Sequence, residues 1–273
     1  QNVAAAQRGR LYSGSIRLEV AINVVGALLI AWWIGDAAGR YRPVLGVVAA
    51  GLAWAGWCAW RIPSVALAPR AGGGRNPFAP LAWLWKDRAF GYINLSWTIM
   101  GFANFMILPL RAEYLANPAY GLAYRADTIL LLLVGLPALV RIVALPLWGR
   151  LFDRSDFVLM RCAINLLFVA ATVVIFTPTP ALQALGAIGF GLAFAGGDIA
   201  WSLWVTKYAP AERTSDYMAV HVFLTGVRAL AGPYAGFALY AAGWSPLAVA
   251  WLSGSLTVMA TLLLARENPR PST

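Results

Sequence analysis

The chain has 273 residues, of which 60% are hydrophobic and only 12% charged, and its mean hydropathy is +0.68. Soluble domains carry about 25% charged residues, so a water-soluble fold of this size is excluded and the bilayer is expected to be the solvent. The net charge of +10 does not point to nucleic acid, because the arginines fall between apolar runs rather than on one basic face.

The chain opens Gln1-Asn2-Val3 with neither a Met nor a signal-peptide pattern, and so reads as a fragment. A helix needs about 20 mostly apolar residues to cross a bilayer. Eight stretches meet that length or approach it: Leu18–Gly35, Pro43–Trp60, Ala89–Leu110, Thr128–Trp148, Phe157–Thr177, Ala181–Val205, Tyr217–Ala241 and Pro246–Ala265. Turn signals such as Thr177-Pro178-Thr179-Pro180 and Gly243-Trp244-Ser245-Pro246 separate them. Alternating strands of about ten residues are missing, so a β-barrel is excluded. The longest connector, Arg61–Arg88, contains Gly72-Gly73-Gly74 and has the composition of a flexible linker. It leaves two spans before it and six after. Its glycines lack the Lys-Ser/Thr of a phosphate loop.

Orientation follows from the basic residues. One side collects Arg8, Arg10, Arg17, Arg61, Arg70, Arg75, Lys86, Arg88, Arg150, Arg154, Arg161, Lys207, Arg213, Arg266 and Arg270; the other has Arg40, Arg42, Arg111 and Arg125. Both ends are therefore expected in the cytoplasm, with the protein in a bacterial inner membrane. Cys58 and Cys162 sit far apart in apolar segments and read as small buried hydrophobes. No metal-ligand spacing and no cofactor motif occurs.

Charges inside a membrane cost about 2.5–3.5 kcal/mol each on insertion scales, so each calls for a partner or a wet cavity. Arg141, Asp198, His221 and Arg228 are such charges, in spans four, six and seven. Arg141 and Asp198 share a depth of roughly 10 Å from the cytoplasmic end of their spans, at 1.5 Å per residue. They are expected to pair, either as a gate that opens and closes or as a permanent staple. Asp198 as a proton carrier is a further reading, opposed by the neighbouring Arg. Arg228 near the midplane is suited to an anionic substrate group, or else to neighbouring backbone carbonyls. His221, the only His, is a proton-relay residue or a structural donor. Spans five and eight carry only uncharged polar groups such as Asn165, Ser253 and Thr257 in their central portions. The glycines of span six, Gly186 to Gly197, suit close helix packing, and Pro137 and Pro146 are expected to bend span four.

Internal symmetry supports a two-part build: at an offset of 205 residues, Gln7-Arg8 lies over Glu212-Arg213 and Tyr12 over Tyr217, which makes spans one and seven equivalent. Gly149-Arg150-Leu151-Phe152-Asp153-Arg154, read as a short cytoplasmic loop, resembles the G-x-L-x-D-R signature of the major facilitator superfamily (MFS), although Ser155-Asp156-Phe157-Val158 then replaces the family's Gly and further basic residues. Ala209-Pro210-Ala211-Glu212-Arg213 is similar to its P-x-E-R loop, and Gly232-Pro233-Tyr234-Ala235-Gly236 to its G-P-x-x-G element.

The resemblance implies an all-α polytopic bundle of eight transmembrane helices that correspond to family helices five to twelve. Residues 1–60 would be the last two helices of an N-terminal bundle, 61–88 the inter-bundle linker and 89–273 the C-terminal six-helix bundle. Four further helices of the same protein would precede Gln1. It also implies that spans three, four, six and seven line a central cavity, which makes Asn94, Thr98, Asn104, Thr225 and Arg228 candidate substrate contacts. Gly149, Asp153 and Arg154 would form a latch beside the Arg141–Asp198 gate.

The expected function is secondary active transport of a small organic solute by alternating access. Coupling to protons is expected through Asp198 and His221, and no cofactor beyond membrane lipid, substrate and coupling ion. The alternatives are a non-transporting membrane scaffold or sensor, and a membrane-embedded acyl transferase with His221 as base.

Overall fold

The structure, a computed structural model, describes residues 7–34, 41–61, 76 and 78–267. Most of the glycine-rich connector (residues 62–75), the basic residues Arg40, Arg70, Arg75 and Arg270, and the first six residues lie outside the described residues. Every described element is helical, and the chain divides into two compact units, residues 21–77 on the one hand and residues 1–20 with 78–273 on the other.

The smaller unit holds the second part of helix α1 (Arg8–Ile34) and helix α2 (Tyr41–Arg61). Along α2, Val47, Leu52, Trp54 and Trp60 are exposed. Trp54 and Trp57 stack 4.9 Å apart, with the Arg61 guanidinium 4.7 Å over the Trp57 ring. Indoles beside a terminal Arg suit the headgroup level of a bilayer. Cys58, expected to be buried, is exposed and free. In lipid an apolar side chain gains nothing by turning inward, so burial does not follow from hydrophobicity there.

In the larger unit the chain enters through the short α3 (Trp83–Lys86) and continues into α4 (Arg88–Ala116). Asp87 caps α4 by accepting from Phe90 N–H at 3.0 Å and also holds the Tyr217 hydroxyl at 2.8 Å. A short α5 (Ala126–Leu130) passes through one wide turn, Leu131–Gly135, into α6 (Leu136–Arg154). Pro137 stands two residues beyond that turn; with no N–H to give, it breaks the regular ladder where the wide turn sits. Then come α7 (Phe157–Ile175), α8 (Pro180–Leu203), α9 (Val205–Tyr208), α10 (Thr214–Ala241) and α11 (Pro246–Glu267). Asp156 caps α7 through Val158 and Leu159 N–H, and Ser245 caps α11 through Ala248 N–H. The turn before α11 closes with Gly243 at φ +91°, a value an L side chain resists.

Six described helices are long and apolar enough to cross a membrane, and they coincide with expected spans three to eight. The protein is an all-α integral membrane protein. The expected loop Gly149–Asp156 is shorter than the sequence suggested: α6 runs on to Arg154, and only Ser155 and Asp156 separate it from α7. Ser155 N–H still reaches Leu151 O at 2.8 Å, so the helix closes its last turn before Asp156 opens the next helix.

Neighbouring helices in this unit run α10, α4, α11, α7, α8, α6. Small residues set the closest contacts. A Cβ on Gly236 would collide with the Met106 carbonyl oxygen, and one on Gly191 would fall 2.6 Å from the Pro137 carbonyl oxygen. Those glycines seat α10 on α4 and α8 on α6. Buried hydroxyls and amides tie the rest: Ser96 donates to Ala260 O at 2.9 Å, Ser253 to Ala103 O at 2.8 Å, and Asn165 to Thr261 at 2.9 Å. The polar groups of α7 and α11 thus join helices to one another. Outward, Leu139, Val143 and Leu147 form an exposed apolar stripe along α6 whose natural solvent is lipid.

Candidate functional site

Helices α4, α7, α8 and α10 line a cavity of about 240 Å³, so span five stands where the family resemblance put span four. Its wall is aromatic, with Trp97, Phe168, Phe190 and Trp201 among the lining side chains, and its charged members are Arg161, Asp198 and Arg228.

Arg228 is 4% exposed and donates from Nη1 to the Trp97 carbonyl at 2.9 Å and from Nη2 to Thr225 Oγ1 at 2.7 Å, while its Nε has no partner. Its stem crosses α4 at Gly101, where a Cβ would fall 2.5 Å from both Cδ and Nε. Thr225 is fixed in turn by His221 O, to which it donates at 2.9 Å, and by the Trp201 indole N–H at 3.3 Å. Thr225 therefore orients Arg228 and is not itself among the cavity-lining residues.

Arg161 is the residue that the sequence reading placed elsewhere. Grouped there with the cytoplasmic arginines, it is 2% exposed and lines the same cavity. Its guanidinium lies 3.9 Å over the Trp97 ring, and Nη2 meets Met100 Sδ at 3.2 Å. Arg228 approaches the same ring at 5.7 Å. Among the described residues, neither arginine has a carboxylate partner. The sequence held a signal for this: Arg161, Asn165, Phe168 and Thr172 recur at helical spacing and all are buried on one face of α7.

Asp198 and Arg141 do meet as an ion pair, Oδ2 against Nε, each side chain 28% exposed. Asn104 lines the cavity, its amide turned to Met100 Sδ at 2.9 Å. Asn94 and Thr98 do not join it. They border a separate hollow of about 610 Å³ with Arg88 and Tyr92, and Thr98 donates to Asn94 O at 2.7 Å.

His221 is completely buried, its ring 5.1–5.3 Å from those of Trp97, Trp201 and Trp204, and neither ring nitrogen has a hydrogen-bond partner. It lies behind the cavity wall rather than on it.

At the end of α6, Asp153 accepts from Gly9 N–H at 2.8 Å and from Arg10 N–H at 3.1 Å, at the start of α1. Gly149 allows that approach: a Cβ there would lie 2.6 Å from Ser13 Oγ and 2.7 Å from Gly9 O. A carboxylate facing the first N–H groups of a helix meets the positive end of its dipole. Arg154 is exposed. Lys207 closes the other side, donating to Phe152 O at 2.6 Å and Ser155 O at 3.2 Å. Burial lowers its ammonium pKa below the ordinary value, and Asp153 and Asp156 oppose that shift.

No family model matches the chain, and no curated protein matches it.

Proposed function

We propose that the protein is a secondary transporter of the MFS type, carrying a small organic anion across the membrane by alternating access with proton coupling. The observation that carries this reading is the aromatic cavity among membrane-crossing helices into which the carboxylate-free Arg228 projects. A buried cation with open hydrogen-bonding capacity is a costly feature that an anionic ligand repays.

Two further observations support it. Arg141 and Asp198 pair α6 with α8 at the cavity wall, which suits a gate. Asp153 docks on the first turn of α1, which suits the latch implied by the resembling Gly149–Arg154 segment. In this reading α1 and α2 are the fifth and sixth helices of a twelve-helix protein, and the six spans that follow form its second half. Asp198 and His221 are the residues through which protons would be coupled.

Uptake tests it. Proteoliposomes holding a pH-sensitive dye are offered a panel of small organic acids. The wild-type chain is expected to move at least one of them with a proton, and Arg228→Ala, at equal incorporation, to reduce that flux at least tenfold. Unchanged flux in Arg228→Ala removes Arg228 from the site. Flux of none of the acids counts against transport.

A further inference from the structure

We infer that Arg161 is a second binding cation of the Arg228 cavity, and that the site takes a small organic oxyanion with two negative charges and an apolar body. The inference rests on the proposed role of Arg228 as a substrate contact and extends it to the ligand's charge.

Both guanidiniums lie against one indole, Trp97, from two different helices, and both line one cavity. Because both line one cavity of about 240 Å³, the two centres are within reach of a single small ligand. Each side chain is more than nine-tenths buried. The protein gives Arg161 a thioether and an aromatic face and gives Arg228 a carbonyl and a hydroxyl; all of these are neutral. Among the described lining residues the one acid, Asp198, is already engaged by Arg141, and a further carboxylate, Glu19, acts on Asp198 rather than on either arginine. Neither lining guanidinium therefore has a carboxylate of its own. A monoanion would leave one of them buried without a counterion, whereas a dianion matches both, and guanidinium forks suit planar or tetrahedral oxyanions. The aromatic remainder of the wall fits a hydrocarbon body rather than a free inorganic ion.

Calorimetric titration of the full chain in detergent at pH 8 tests this with four probes of one size class. Phthalate and phenyl phosphate each carry two charges and separate a dicarboxylate source from a phosphoryl one; benzoate carries one and benzamide none. At least one dianion is expected to bind tenfold or more tighter than benzoate, with benzamide weaker still. Arg161→Gln is expected to bring the dianion down to the benzoate level. Asn104→Asp, which places a carboxylate on the cavity wall, is expected to weaken dianion binding at least tenfold even if Arg161→Gln fails to fold. Equal binding of benzoate and both dianions overturns the inference, as does an unaltered preference in a folded Arg161→Gln. Uptake of labelled phthalate or phenyl phosphate is read separately. A dianion preference without uptake keeps the two-cation site and removes transport; uptake without an Arg161-dependent preference does the reverse.

Discussion

Asp153 receives two N–H groups that the first turn of α1 cannot satisfy internally, and it does so with both carboxylate oxygens. Removing such an acceptor costs about 1–2 kcal/mol when the orphaned donors lack water. Asp153→Ala is therefore expected to lower stability by about that amount in denaturation from mixed micelles, and Asp153→Asn, which keeps one acceptor oxygen, by less. An unchanged midpoint for the alanine variant would mean that water replaces the carboxylate fully. Residue-scale reading from sequence was strongest where a charge had to be explained. Arg141, Asp198 and Arg228 announce themselves by their cost in a membrane, and equal depth is enough to pair the first two. Arg161 escaped because it sits four residues into its helix, close enough to the cytoplasmic loop to be counted with the topological arginines. Depth along a helix is legible in a sequence; the face that a residue turns is legible only when its i+4 neighbours are read with it.

Elements were easier than their ends. The spans of α4 to α11 follow from length and hydropathy, because in lipid the backbone must satisfy itself within each helix and leaves few other choices. The end of α6 lies beyond the expected one because the apolar run stops at Trp148 and Gly149–Arg154 resembles a loop signature, whereas here Gly149 is where α1 and α6 touch. The same economy governs α10. Gly236 lies against the Met106 backbone, whereas Gly226, two to three turns earlier on the same helix, has nothing within 4 Å of where a Cβ would stand. Gly236→Val is expected to force α10 from α4 and destabilise by about 1–3 kcal/mol, the usual range for overpacking. Gly226→Ala should be neutral or slightly stabilising, since Ala is the better helix former by up to about 1 kcal/mol. Thermal unfolding of the two variants in one detergent gives the comparison; equal midpoints would mean that the α4–α10 contact yields without cost.

At the scale of the molecule, the charge asymmetry predicts a topology that cysteine labelling can read. With Cys58 and Cys162 replaced, a cysteine at Ser155 is expected to react with an impermeant maleimide only in inverted membrane vesicles. One at Ala119, in the turn after α4, should react only from the outer face. The opposite pattern would reverse the orientation drawn from the arginines. Much of the architecture was legible in the sequence because a bilayer rewards a single kind of element. The cavity was not, since its walls come from four helices spread over more than a hundred residues, and no local pattern records which faces meet. Asn94 and Thr98 share a helix with Asn104 but not its cavity.

The Arg141–Asp198 contact joins α6 to α8 across the intervening α7. A ribosome adding about 5–20 residues per second delivers the arginine to the membrane several seconds before its counterion has been made. During that interval α6 must enter the bilayer with an unpaired guanidinium. It is equipped to do so, since the segment Asp127–Arg154 is the most apolar of the six. Insertion of α8 is then assisted by a partner already in place, so biogenesis of this bundle has an order written into it. The helix that can bear a charge alone comes first, and the helix that brings the neutralising acid follows.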